Sequence, residues 1–203
     1  MIKTLIFDFG DVFINLDKQG AMDNALKLFK MDVLENDMIF KNMQYEIGNI
    51  TSLEFINFYK NKFSYLSEKQ IIEAWNYIIQ DFPFHRLEFA KQLATNNNYK
   101  RIVLSNTNEI HIDFIKENIT FYNEFKDCFD KFYLSHEINL RKPDIDIYEF
   151  VLNENDLKAN ECLFIDDTKD NTDMASSLGI HVWNIDETKE DVVDLFSINS
   201  ELF

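Results

Sequence analysis

Four polar groups stand out in this chain because each follows a short apolar run. Asp8 closes Thr4-Leu-Ile-Phe-Asp8, Ser105-Asn106-Thr107 ends the run from Arg101, and Asp166-Asp167 ends the run from Cys162. Lys142 lies in Leu140-Arg-Lys-Pro143, a few residues beyond the run from Lys131 to Ser135. A carboxylate such as Asp8 can attack phosphorus and form an acyl phosphate that water later cleaves. A carboxylate approaching a phosphate dianion meets repulsion, so such a site needs cations. Asp8 and Asp167 can hold Mg²⁺, a hard ion that takes oxygen ligands and keeps several waters. Lys142 can neutralise phosphoryl oxygens, and Ser105 with the backbone amides of Asn106 and Thr107 can hydrogen-bond them. Asp166 either supports these ligands or caps the helix that follows.

The runs that carry these residues read as buried strands, being continuously apolar and rich in β-branched or aromatic residues. They are Thr4–Asp8, Arg101–Ser105, Lys131–Ser135 and Cys162–Asp166, with a fifth at Ile180–Ile185 after Gly179, which looks like a helix C-cap. Helical periodicity fills the spaces between them: Arg86–Asn96, Glu109–Asn118, Ile145–Asn153 and Asp170–Leu178. Alternating strands and helices imply a parallel sheet covered on both faces. In such a sheet ligands bind at the C-terminal edge of the strands, where the polar groups collect.

From about Gly20 to Ile79 no strand is evident and apolar residues recur at helical spacing, so about four helices are expected there. This divides the chain into a core domain of residues 1–16 and 82–203 and an inserted helical domain of residues 17–81. Pro83 disfavours continuation of the last inserted helix, and Glu187–Ile198 reads as a closing helix. Trp75, Tyr77, His111 and His136 read as packing residues without a chemical partner.

The 203 residues carry a formal net charge of −16, which would repel nucleic acid and anionic lipid surfaces. Cys128 and Cys162 are too few and too far apart for a disulfide framework or a zinc site, which points to a reducing cytoplasm. The N-terminal apolar stretch is short and interrupted by Asp8 and Asp11, unlike a signal peptide or a membrane span.

Phe7-Asp-Phe-Gly-Asp-Val12, Val103-Leu-Ser-Asn106, Arg141-Lys-Pro143 and Phe164-Ile-Asp-Asp-Thr-Lys-Asp-Asn171 resemble, in order and spacing, the four signature motifs of the haloacid dehalogenase superfamily. The likeness spans the whole chain and is greatest to the branch holding α-glucose-1-phosphate phosphatases and the N-terminal phosphatase domain of epoxide hydrolases. It implies a Rossmann-like three-layer α/β core with a parallel sheet and an inserted α-helical cap. It also implies Asp8 as nucleophile and Mg²⁺ ligand, the Gly10 carbonyl and Asp167 as further metal ligands, and Ser105 and Lys142 as phosphoryl-binding residues. Asn171 stands where the family often has a second acidic residue.

One departure bears on mechanism. The phosphatase pattern places a second Asp two residues after the nucleophile, where it protonates the leaving group, and here that residue is Gly10. Asp11 can take over only if the loop turns it inward. The expectation is therefore a cytoplasmic, Mg²⁺-dependent phosphatase acting on a small phosphorylated metabolite such as a sugar phosphate, as a monomer or weak homodimer, binding neither nucleic acid nor membrane. The alternatives are a C–halogen hydrolase of the same superfamily and a catalytically weak phosphate-binding regulatory protein.

Overall fold

In the computed structural model, which describes residues 1–203, five parallel strands lie in the order β3-β2-β1-β4-β5. They are β1 (Thr4–Phe7), β2 (Lys100–Ser105), β3 (Lys131–Leu134), β4 (Cys162–Asp166) and β5 (His181–Asn184). Phe7 of β1 pairs with Val103 of β2 and with Ile165 of β4. That register brings Asp8, Asp166 and the residues after Ser105 to one edge of the sheet. Between β1 and β2 the chain forms α1 (Lys18–Phe29), α2 (Asn36–Glu46), α3 (Ser52–Lys62) and α4 (Glu68–Asn76). After them come α5 (Phe84–Asn96), α6 (Glu109–Asn118), α7 (Tyr122–Lys126), α8 (Ser135–Ile138), α9 (Ile145–Glu154), α10 (Lys169–Ser177) and α11 (Leu195–Ile198).

Side chains alternate across the strands, so each face of the sheet buries its own set. Leu5, Phe7, Val103, Leu163 and Ile165 pack against α5, α6 and α7 through Leu87, Ile112 and Phe125. Ile6, Ile102, Leu104 and Phe164 pack against α9 and α10 through Ile147, Val151 and Ala175. The result is the expected three-layer α/β arrangement. None of the helices is long and apolar enough to cross a membrane.

Three local features differ from the sequence reading. Helices α7 and α8 span only one turn each, too few residues to show a 3.6-residue period. The closing helix expected over Glu187–Ile198 shrinks to a 3₁₀ turn at Val192–Asp194 and the four residues of α11. Local side-chain bonds compete for the backbone there. The Asp186 carboxylate accepts from the Thr188 N–H at 3.1 Å, and Glu190 Oε2 accepts from the Asp186 N–H at 3.0 Å.

The inserted helices have a core of their own, built on Phe29, Met38, Tyr45, Phe55, Tyr59 and Ile71, and Ile110 of α6 reaches into it. The chain leaves and re-enters the sheet domain through paired linkers. Asp17 N–H donates to the Ile78 carbonyl at 2.8 Å, and Asn15 N–H to the Asp81 carbonyl at 2.9 Å. The C-terminal end of α2 rests on α8. Gly48 there has a φ of 71°, and a Cβ on it would lie 2.1 Å from the His136 carbonyl oxygen, so only glycine fits.

His111 has a structural partner that the sequence could not show. Its ring stacks on Trp75 of α4 with centroids 5.4 Å apart, and its Nε2 lies 3.0 Å from the Trp75 carbonyl. Its Nδ1 lies 3.1 Å from Asn108 Nδ2, and Asn108 Oδ1 accepts from Trp75 Nε1 at 3.1 Å. The network assigns a neutral imidazole with its proton on Nε2. Burial lowers its pKa from the usual 6.5 to about 4, the Trp75 carbonyl opposing this. The unfolded chain therefore binds the extra proton first, and stability falls as pH drops from 6.5 towards 4. A loss on the order of 2–3 kcal/mol is expected over that window. His111→Gln keeps a side-chain N–H but does not titrate, so its melting temperature should fall less than wild type on acidification. Parallel melting curves for the two proteins would remove His111 from this role.

Candidate active site

The loop after β1 is held rigidly. Phe9 stacks on Phe125 at 5.5 Å and meets Phe82 and Phe132 edge-on, which fixes the backbone on either side of it. Asp11 adopts a left-handed φ of 54°, a conformation Asp tolerates better than most residues. Its Oδ1 accepts from the Leu16 N–H at 2.8 Å, and its Oδ2 lies 2.7 Å from Lys18 Nζ. Both Asp11 carboxylate oxygens are thus engaged in holding the loop and the start of α1. Gly10 has no positive φ, so its backbone does not demand glycine. A Cβ at this position would lie 2.7 Å from Leu16 Cδ1, the end of a side chain that would have to shift to admit it. Leu16 fills the volume that a side chain at position 10 would use.

Asp8 is nearly buried and receives the Phe9 N–H at 2.6 Å and Lys142 Nζ at 2.9 Å. The Lys142 side chain is 0 % exposed and also lies 2.7 Å from Asp166 Oδ2. Asp166 Oδ1 accepts from the Thr168 N–H at 2.8 Å, and Asn171 Nδ2 approaches both Asp166 oxygens at 3.0–3.1 Å. Asp166 is therefore consumed in orienting Lys142, and Asn171 serves it as a donor. An acidic residue at position 171 would repel it. Asn106 clamps the same lysine from its backbone: Asn106 Nδ2 donates to the Lys142 carbonyl at 2.8 Å, and Lys142 N–H donates to Asn106 Oδ1 at 2.9 Å. The side chain of Asn106 is thus committed to placing Lys142, leaving only its backbone amide for a ligand. The Thr107 amide is unavailable as well, because it donates to Ser135 Oγ at 2.9 Å.

Lys18, at the start of α1, is a member of the site that sequence reasoning missed. Its Nζ bridges Asp11 and Asp167, the latter at 2.6 Å. Nothing in its spacing marked it apart from its place after Asp17, the side chain of which caps the helix. Burial opposes the charge on Lys18, yet hydrogen bonds to Asp11 and Asp167 hold its pKa above the usual lysine value.

The electrostatics leave a deficit of positive charge. Burial raises the Asp8 pKa from 3.8 to about 7; Lys142 works against this, and Asp166 and Asp167 add to it. Burial would lower the Lys142 pKa, but Asp166 and Asp8 outweigh it and the net direction is upward. Burial raises Asp167 too, opposed by Lys18. Four carboxylates, Asp8, Asp11, Asp166 and Asp167, face two ammonium groups, Lys142 and Lys18, leaving a formal excess of two negative charges. Carboxylate oxygens of Asp8, Asp166 and Asp167 lie within 4.8 Å of one another. That all-oxygen set suits a hard divalent cation. Asp166 has donors on both oxygens, whereas Asp8, bonded through Oδ1, and Asp167, bonded to Lys18 through Oδ2, each keep one oxygen for a cation.

A cavity of about 120 Å³ lies beside this cluster. Phe9 and Gly10, the residues next to Asp8, form one wall, and Ser105, Asn106 and Asn108 form another. The segment between β1 and α5 closes it with Glu46, Ile78 and Ile79. Glu46, like Lys18, is a residue of the site that nothing in its sequence position singles out.

The family model for haloacid dehalogenase-like hydrolases matches residues 2–179. A D-ribitol-5-phosphate phosphatase from Bacteroides thetaiotaomicron is 26% identical over 197 residues, covering 90% of this chain and 91% of that protein. The crystal structure of a HAD family enzyme from the same organism, a magnesium complex, superimposes with a TM-score of 0.85 at 34% identity, over 96% of this chain and 98% of that one. A HAD-like family hydrolase from Porphyromonas gingivalis shares the fold at 24% identity, with a TM-score of 0.83 over 100% of this chain and 98% of that one.

Proposed function

This chain belongs to the haloacid dehalogenase-like hydrolases, and from that premise we propose that it is a Mg²⁺-dependent phosphatase acting on a small phosphomonoester of sugar or polyol size. Residues 17–81 serve as the cap of a core made of residues 1–16 and 82–203. The observation that carries the reading is the excess of negative charge around Asp8, which a divalent cation balances and which a C–halogen hydrolase does not require.

Asp8 attacks phosphorus and becomes the aspartyl phosphate; water then cleaves that intermediate. Lys142, clamped by Asp166 and Asn106, holds a fixed positive charge 2.9 Å from the Asp8 carboxylate and meets the incoming phosphoryl oxygens without having to reorganise. Ser105 and the Asn106 amide add hydrogen bonds. Asp8, Asp167 and the Gly10 carbonyl would hold Mg²⁺, which neutralises phosphoryl charge when bound. The cavity between Gly10, Ser105 and Glu46 takes the leaving group, and the polar side chains on its partly apolar wall suit hydroxyls. The ribitol phosphate activity of the Bacteroides relative is consistent with that substrate class.

A panel of sugar and polyol phosphates, assayed with and without Mg²⁺, tests this. Phosphate release should appear with Mg²⁺ and be suppressed by a chelator. Release of halide from 2-haloacids, with no phosphate ester cleaved, would replace the proposal by its rival.

A further inference from the structure

Position 10 has no side chain to protonate a leaving oxygen, Leu16 has taken the space, and both Asp11 oxygens are bound to the Leu16 N–H and Lys18. The proton must come from elsewhere around the leaving-group cavity. Most of the polar atoms there are already paired. The Asn106 amide is bonded at both ends to the Lys142 backbone, and Asn108 is tied to Trp75 and His111. His111 has a partner at each ring nitrogen and is held neutral. Glu46 is the remaining ionisable group on the wall. Its only ion pair is a long one, 3.3 Å from Arg141 Nη2, which leaves carboxyl oxygen free to face the cavity. Its backbone does not drift with the cap, because the Glu46 carbonyl accepts from Ser135 Oγ of the core at 2.6 Å.

We propose that Glu46, on the cap, is the catalytic acid and base of this site, in place of a residue at position 10. The inference rests on the phosphatase reading above. In the first half-reaction an Asp8 oxygen bonds to phosphorus as the ester P–O bond breaks. The departing oxygen keeps the bonding pair and takes the Glu46 proton. In the second, a water oxygen bonds to phosphorus, the bond to Asp8 breaks, and the proton of that water returns to Glu46. One ester and one water give one alcohol and one phosphate, with both side chains restored. Burial raises the Glu46 pKa and Arg141 opposes it, with the net direction upward, which favours the protonated acid that the first half-reaction needs.

The test compares ribitol 5-phosphate with 4-nitrophenyl phosphate on the Mg²⁺-loaded wild type and Glu46→Gln, the fold of each being checked by circular dichroism and melting. An alkoxide needs a proton to leave and a nitrophenolate hardly does. Glu46→Gln should lose about 10²–10⁴-fold in kcat on the polyol ester. On the nitrophenyl ester it should lose less than about 10-fold, a split that a binding or packing role would not produce. Equal losses on both esters, or loss on neither, would overturn the proposal. So would a wild type that cleaves the nitrophenyl ester alone. A wild type that cleaves neither overturns the phosphatase reading, and this inference with it. Should the Gln variant not fold, Glu46→Asp replaces it: the shorter acid should again lose more on the polyol ester, and parallel losses would count against the role.

Discussion

Asp8→Asn is expected to abolish phosphate-ester turnover while leaving the protein as stable as wild type or more so. The amide is a poor nucleophile, and removing an enzymatic nucleophile typically lowers kcat on the order of 10⁴-fold or more. The local fold has no reason to fail, since an Asn oxygen can still accept from the Phe9 N–H and from Lys142. Stability moves the other way because burial, helped by Asp166 and Asp167 and opposed by Lys142, raises the Asp8 pKa to about 7. An unfolded Asp ionises near 3.9, so the native state binds the proton more tightly and loses stability as pH rises from about 4 to about 7. Without added metal, the Asn variant should therefore melt a few degrees above wild type at pH 8, with the difference vanishing near pH 4. Activity near the wild-type level, in a preparation free of contaminating phosphatase, would take the nucleophile role from Asp8.

Lys142→Met should be damaging to both activity and stability. The lysine ammonium is fully enclosed and touches Asp8 and Asp166 together. Removing one partner of a buried ionic cluster typically costs 3–5 kcal/mol, because the remaining charges have no solvent to turn to. For a protein of about this size that corresponds to a fall of about 10 °C in melting temperature. Turnover should drop at least about 10²–10³-fold with the loss of fixed positive charge at the phosphoryl site. The double variant Lys142→Met, Asp166→Asn should recover part of the stability and none of the activity, and the cycle isolates their coupling. A single variant that melts within about 2 °C of wild type would show that the lysine is not the counter-ion the geometry makes it.

The sheet was readable because each of its strands is an apolar run that stops at a polar residue, and Asp8, Ser105 and Asp166 mark three of those stops. Placing these residues on one edge needed only the rule that parallel strands end together. What each polar residue does there depended on partners remote in the chain. Asn106 reads as a ligand for phosphate until the Lys142 backbone, 36 residues on, is seen to occupy both ends of its amide. Asp166 reads from its position either as a ligand support or as a helix cap, and in the structure its oxygens accept from Lys142 and Asn171. Lys18 and Glu46 gave no signal, because each is an ordinary polar residue at a helix end. The closing helix failed for a different reason: Asp186, Thr188 and Glu190 bond the backbone of its first part, while the buried Val192 and Leu195 lie beyond that stretch.

Ile110 ties the two parts of the molecule in a further way. It belongs to a helix of the sheet domain, yet its side chain is part of the apolar centre of the inserted helices, and its N–H donates to Tyr45 of that insertion at 3.0 Å. Residues 17–81 excised from the chain would lack a piece of their own interior. The insertion is accordingly not a free-standing module that could be exchanged between relatives at its linkers. A graft would have to bring a matching residue on the first turn of α6, so that the inserted helices and the sequence of α6 constrain each other.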